Sequence, residues 1–417
     1  MSTRSIIVAI ISATVLSMLC SSGSHAEDAA LTAIHAELEP LRAHRSEHPE
    51  TRGATIAFTE IKHQLRDWVD GKIAEVDPNG DFRSLADALN RELLQADLLC
   101  ESAADVDRCA GDDTTDWNAV GYLGRLRIET QTYPHFISSI APIGIECGYD
   151  ESAYVYGWKD GNWRRVIQSE QTEYTKASYL PQFIDAVHIS RSERPAGEEH
   201  LVLILGQYGW CTSTWYPVFF RLWKISGNPD DTALLLDGQR QAWLGKYDVP
   251  IMGSVSLDDA LIEFTVGSID VDVHNRQAVF HYRVDGKKVT RIDPVALNPR
   301  DFVDEWLVRD WTDSVIWSDE RSRPALRAAH EKFHSGHVIG SFAEDTFRCR
   351  DRTDEWQVEL ALGEPDKEAP PNYFIVRWQP PYHFEMDEVR DEPRPDCTEK
   401  VSDHGELDTL FPVQGWR

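Results

Sequence analysis

Residues 330–337, HEKFHSGH, carry the densest set of groups that could do chemistry. On a helix His330 and His334 stand one turn apart on the same face, and Glu331 adjoins the first of them. Two imidazoles at that spacing can hold a zinc ion while a neighbouring carboxylate takes a proton from metal-bound water. Two other stretches offer binding groups. In DVDVHN, Asp270, Asp272 and His274 share one face of an extended strand and present ligands suited to a divalent cation. In QYGWCTSTWYP, Trp210, Trp215 and Tyr216 could form an aromatic platform for a sugar or peptide.

HEKFH resembles the short motif of the zinc metallopeptidases, over five residues. The resemblance implies His330 and His334 as ligands and Glu331 as general base of a metal-dependent hydrolase. The neighbours favour a plainer reading. Lys332 places a cation inside the motif, and Gly340 stands where a third histidine ligand of one such group would fall. Residues 349–362 read as strand, so no following helix offers a glutamate. Ser335-Gly336 ends the helix, Gly336 being a natural C-terminal cap. Ala325, Ala328, Ala329 and Phe333 give it a modest apolar side. Protonated histidines in a last turn gain ~0.3–1 kcal/mol from the carbonyl end of the helix dipole. The expectation is a helix terminus, with no metal or cofactor. DVDVHN then reads as a solvated loop and the three aromatics as core or rim. No G-x-S-x-G elbow, phosphate-binding loop or dinucleotide fingerprint occurs. With 70 acidic residues, every paired-carboxylate arrangement is available by chance.

The elements that must position these groups fall into blocks. Residues 27–115 read as helical: Phe58, Ile61, Leu65, Trp68, Val69 and Ile73 lie on one helical face. After the turn DPNGD (77–81), Ser84 and Asp87 resemble a capping box for a helix carrying Leu85, Leu89, Leu93 and Ala96. His63 among surface polar residues reads as structural or neutral.

Residues 116–298 read as antiparallel β structure. YVYGWKDGNWRRVIQ (154–168) is a hairpin turning at Asp160-Gly161, and VFHYRVDGKKVTRI (279–292) repeats it at Asp285-Gly286. VFFRLWKISGNPDDTALLLD (218–237) repeats it with a longer loop. Aligning Trp158, Trp223 and Val284 gives offsets of 65 and 61 residues, and Cys147, Cys211 and Asp272 fall at matching places upstream. Three degenerate repeats of antiparallel strands follow, propeller-like or a stacked-sheet sandwich. Asn298-Pro299 should cap a helix, and a second helix should run from about Ser322 through His334. Trp356, Val358, Leu360 and Leu362 then alternate, as do Phe374, Val376 and Trp378, and Tyr382, Phe384 and Met386. Residues 299–397 thus read as a small helix-plus-antiparallel-sheet domain, and 398–417 as a polar tail. The fold class expected is multidomain α+β.

The first 26 residues read as a secretory signal peptide: Arg4, a mainly apolar run from Ile6 to Leu19, and Ser24-His25-Ala26 before the cleavage point. Lipid anchoring at Cys20 is the rival, and Leu19 is too large for the residue before a lipidated cysteine. No other apolar run approaches the ~20 residues of a membrane span, so a soluble mature chain is expected. Cleavage leaves Cys100, Cys109, Cys147, Cys211, Cys349 and Cys397. An even count in an exported chain suggests disulfides, and spacing pairs them in that order. A formal net charge of −28 repels nucleic acid and anionic membranes. The reading is an exported, non-enzymatic binding or assembly module, periplasmic or secreted, with an envelope glycan, peptide or protein as partner.

Overall fold

The structure is a computed structural model that describes residues 29–43, 52–99, 120–131, 136–145, 148–172, 182–190, 199–209, 215–226, 231–243, 251–267, 275–292, 296–334, 341–362, 370–380 and 383–401. It is mixed α+β, with helices at the start, several antiparallel four-stranded sheets, and a C-terminal helix-plus-sheet unit. Among the described residues no helix is long and apolar enough to cross a membrane.

Three helices come first: α1 (residues 29–43), α2 (Arg52–Ala74) and α3 (Phe82–Gln95). The apolar face read for α2 is buried as expected, from Phe58 through Ile73. The cap of α3 is not Ser84. Asp81 accepts from the backbone N–H of Arg83 and of Ser84, at 3.1 Å each, and Ser84 Oγ donates to it at 2.5 Å. A carboxylate one residue before the helix reaches the free N–H groups of the first turn, so the helix starts earlier than a Ser84 cap would allow.

Each repeat then becomes one four-stranded antiparallel meander. Sheet A comprises β1 (Arg127–Gln131), β2 (Phe136–Ile145), β3 (Gly148–Lys159) and β4 (Asn162–Ser169). Sheet B comprises β5 (Gln182–Ile189), β6 (His200–Tyr208), β7 (Trp215–Ile225) and β8 (Thr232–Trp243). Sheet C comprises β9 (Met252–Val255), β10 (Asp259–Gly267), β11 (Asn275–Asp285) and β12 (Lys288–Ile292). The aligned residues Trp158, Trp223 and Val284 all lie near the ends of third strands. At the β3–β4 turn Asp160 and Gly161 both have positive φ (53° and 81°), as a type I′ turn requires. The β11–β12 turn sits one residue later than read. Asp285 pairs with Lys288, leaving Gly286-Lys287 as the loop, and Gly286 (φ 62°) supplies the positive φ at its first position.

The sheets stack face to face. In β6 the side chains alternate between two cores: Leu201, Leu203 and Leu205 join sheet C, while Val202 and Ile204 join sheet A. The outer face of sheet A, with Ile137, Ile143, Tyr154 and Tyr156, is covered by α1–α3 in one continuous core. The other face of sheet C carries His281 and Arg283, 3.4 and 3.5 Å from Asp259, together with Leu261 and the buried Val279 and Glu263. Helices cover the far side of sheet A, and sheet B lies between sheets A and C, so the blade-like sheets stack in the order A, B, C.

Asn298 caps α4 (Pro299–Val308) through Oδ1, which accepts from the Asp301 N–H at 2.9 Å. A short helix α5 (Trp311–Ser314) and α6 (Arg323–His334) follow. They pack on sheet D, whose order is β16-β15-β14-β13-β17, to make a core around Phe302, Trp306, Phe374 and Phe384. Here β13 is Ser341–Cys349, β14 Glu355–Leu362, β15 Pro371–Gln379 and β16 His383–Arg390. The final strand β17 (Cys397–Val401) corrects the tail reading, since residues 398–401 are paired to β13. Alternation is weak there, and the strand is held by its partner and by the Cys349–Cys397 disulfide, as expected from spacing. The other five cysteines, Cys20, Cys100, Cys109, Cys147 and Cys211, lie outside the described residues.

The disulfide closes a separation of 48 residues and ties an edge strand to its sheet. Replacing both cysteines by alanine should lower unfolding free energy by about 2–4 kcal/mol. Urea unfolding of the double variant beside the oxidised parent checks this, and coincident midpoints would contradict it.

Candidate functional site

The structure divides the HEKFH motif. His330 is 1% exposed, and its Nε2 lies 2.9 Å from the Arg309 carbonyl and 3.2 Å from that of Trp306. Carbonyls only accept, so Nε2 carries the proton and has no lone pair for a metal. The ring meets Trp306 edge-on at 4.9 Å and Trp311 at 5.5 Å. His330 therefore caps the C-terminal carbonyls of α4 rather than the end of its own helix. Glu331 is exposed and paired with Arg327 at 2.8 Å along the surface of α6. The base and the first ligand of the motif are not brought together. The side chain of His334 lies outside the described residues. So do Trp210, Asp270, Asp272, His274 and the side chains of Trp215 and Tyr216, whose backbones belong to β7. His63 is exposed, with Nε2 3.1 Å from Asp67.

What the fold does assemble is a polar seam between α2 and sheet A. Lys62, Arg66 and Asp70 recur every four residues and form a stripe beside the apolar face of α2. Opposite them, alternate residues of β3 (Asp150, Ser152, Tyr154 and Tyr156) point to the helices. Lys62 Nζ lies 2.7 Å from Asp150, with side chains 3% and 0% exposed, and donates to the Gln171 carbonyl at 2.7 Å. Arg66 pairs with Glu170 at 3.1 Å, and the Tyr154 hydroxyl donates to the same carboxylate at 2.6 Å. Asp70 accepts from the Tyr156 hydroxyl at 2.8 Å and from Arg165 at 2.5 Å. Burial pushes both phenols well above their usual range, and the carboxylates Glu170 and Asp70 push the same way. Burial also pushes the Asp70 carboxyl up, against the Tyr156 hydroxyl and Arg165. Phenols held so high donate hydrogen bonds and do not act as bases near neutrality.

Two further charge clusters lie in the C-terminal unit. Asp319, Glu385 and Asp387 bring carboxylate oxygens within 4.8 Å of one another. Arg377 already lies among them, 3.4 Å from Asp319, 3.2 Å from Glu385 and in direct contact with Asp387. Asp319 also accepts from the Arg321 and Ser322 N–H groups at 2.9 and 3.1 Å. Beside the disulfide, the buried Glu355 pairs with Arg394 at 2.6 Å and contacts Arg352, and Arg394 reaches Asp396 at 2.6 Å. Both clusters fasten loops to sheet D.

The charged stripe of α2 was open to a solvated reading, because a helical period alone does not say which neighbour will face it. The available signal was the polar alternation Asp150-Ser152-Tyr154 on a buried strand. No family model matches this chain, and no curated protein matches it.

Lys62→Met leaves the Asp150 carboxylate buried without its cation and should cost about 3–5 kcal/mol. The double variant Lys62→Met with Asp150→Leu should recover most of that loss in chemical denaturation, and an equally unstable double variant would refute the pairing argument. A second expectation concerns Glu151, whose carboxyl burial pushes up against Arg127 and the Ile184 N–H. A carboxyl raised in the folded state favours folding below its unfolded pKa. That contribution is lost as pH rises through the folded value. The stability of the parent relative to Glu151→Gln should therefore decline as pH rises above the ordinary glutamate range, and a difference constant with pH would exclude it.

Proposed function

We propose that this protein is an exported, non-enzymatic binding or assembly module of the periplasm or extracellular space, with an envelope glycan, peptide or protein as its partner. One observation carries the reading: the proton on His330 Nε2 is committed to two backbone carbonyls, while Glu331 is spent on Arg327. That arrangement speaks against the metal-dependent hydrolase with His330, Glu331 and His334, because the His330 Nε2 faces the α4 carbonyls and Glu331 faces the surface. The buried charges of the α2 seam likewise neutralise one another and hold a helix to a sheet. A bonded cysteine pair suits an oxidising compartment, and the N-terminal 26 residues have the pattern of an export signal. The net charge of −28 disfavours nucleic acid and anionic membrane surfaces as partners.

Purified mature protein dialysed against zinc should retain well under one equivalent by elemental analysis, and Glu331→Gln should leave any peptide hydrolysis unchanged. One equivalent of zinc, lost in His330→Ala together with hydrolysis, would overturn the reading. Export is tested separately by fractionation and N-terminal sequencing of the mature chain. It should begin at residue 27, and a full-length cytoplasmic product would contradict it.

A further inference from the structure

Three arginines from three elements converge on one aromatic cluster at the rim where sheets B and C meet α4. Arg240 comes from β8, Arg291 from β12, and Arg309 is the C-terminal cap of α4. Arg291 and Tyr282 are direct cross-strand partners, so both occupy the face of sheet C that packs on sheet B. The Arg291 guanidinium lies 4.4 Å from the Phe280 ring centre and 5.4 Å from that of Trp317. Arg309 lies 5.3 Å from Trp317, and Arg240 lies 5.6 Å from Phe280. Phe220 extends this floor, 5.7 Å from Phe280 and 6.0 Å from Tyr282. Gly238 faces it in β8, where a Cβ would stand 2.0 Å from the Phe220 ring.

Among the described residues, the ion pairs at this rim leave one guanidinium over. Arg291 and Arg309 share Glu305, at 3.3 Å from Arg291 and in direct contact with Arg309. Arg309 also reaches the exposed Asp313 at 3.4 Å. Arg240 donates to the Gln239 carbonyl at 2.8 Å, and among the described residues no carboxylate pairs with it. The buried Nε of Arg291 has no acceptor. Burial raises the Tyr282 phenol, while Arg291, Arg240 and Arg309 all pull it back. Burial and then the nearby Arg309 lower the Arg291 guanidinium to about 10. Positive charge is crowded here, in a chain whose net charge is −28.

We propose that this rim is a binding site for a carboxylate-bearing ligand, with exposed Arg240 making the direct contact and Arg291 and Arg309 supplying the field. A guanidinium laid over an aromatic ring keeps its in-plane N–H groups for a planar oxyanion, which a carboxylate matches in a two-pronged fork. The proposal names the ligand chemistry of the binding module above. It rests on that reading only in that the ligand is released unchanged.

The test is calorimetric titration of the full mature protein with succinate, its neutral diamide and inorganic phosphate. Succinate should bind saturably and more weakly as salt rises, with the diamide about tenfold weaker. Arg240→Gln should weaken succinate about tenfold with an unchanged melting temperature. Arg283→Gln, on the opposite face of sheet C, should bind like the parent. Equal affinity for succinate and its diamide, or an unaffected Arg240→Gln variant, would overturn the site. Phosphate binding tighter than succinate would overturn the carboxylate assignment. Loss of succinate binding leaves the exported-module reading standing, whereas zinc-dependent hydrolysis lost in Glu331→Gln would overturn that reading and leave the site.

Discussion

Strand β6 has no face to give to water, and the rest of the central architecture follows from that. Its run Leu201-Val202-Leu203-Ile204-Leu205 is 0–1% exposed at every position. Burying one such side chain contributes about 1.5–3 kcal/mol, so five approach on the order of 10 kcal/mol. That is comparable with the whole stability of an ordinary domain. The two sets of side chains need two apolar surfaces, which sheets A and C supply. Sheet A is then itself covered on both faces, with β2 buried at all ten positions, and the helices close its far side. The other face of sheet C is mixed, with Asp259, His281 and Arg283 beside Leu261 and the buried Val279 and Glu263.

Electrostatics decides how the helices seat on that stack. An apolar face alone lets a helix slide by a turn. A stripe of Lys62, Arg66 and Asp70 meeting Asp150, Glu170 and Arg165 does not, because a one-turn slip would set like charges together. The same device recurs at sheet D, where Arg377 joins Asp319 to Asp387 of β16 and Arg394 joins Glu355 of β14 to Asp396. Buried charge in this protein is used in pairs that specify alignment. The arginine rim beside Tyr282 differs, since among the described residues no carboxylate pairs with its Arg240.

Much of the fold was legible in the sequence. The repeat offsets of 65 and 61 residues placed Trp158, Trp223 and Val284 on equivalent strands, and the Asp160-Gly161 turn and Asn298 cap are where local chemistry put them. The readings that shifted did so for local reasons: Asp81 reaches the first-turn N–H groups that Ser84 was read to cap, and Gly286 takes the first loop position. Strand β17 was read as tail because Glu399 and Lys400 give it no alternation, whereas its pairing with β13 and the disulfide order it. The site was less legible. HEKFH has the spacing of a metal motif, but spacing does not reveal that the carbonyls of Trp306 and Arg309 lie against His330.

By itself the sequence determined the class of most elements, the three repeats, the ends of several strands and the pairing of Cys349 with Cys397. All of these rest on periods and neighbours within a few residues, or on cysteine arithmetic. Only the tertiary structure decided which charges meet. Lys62 finds Asp150, and Arg240, Arg291 and Arg309 gather around Phe280, Tyr282 and Trp317, across separations that no local period encodes. The physical reason is that a period fixes the face a side chain occupies. The partner on that face is fixed by how the sheets stack, and the stacking answers to the apolar area of every sheet together.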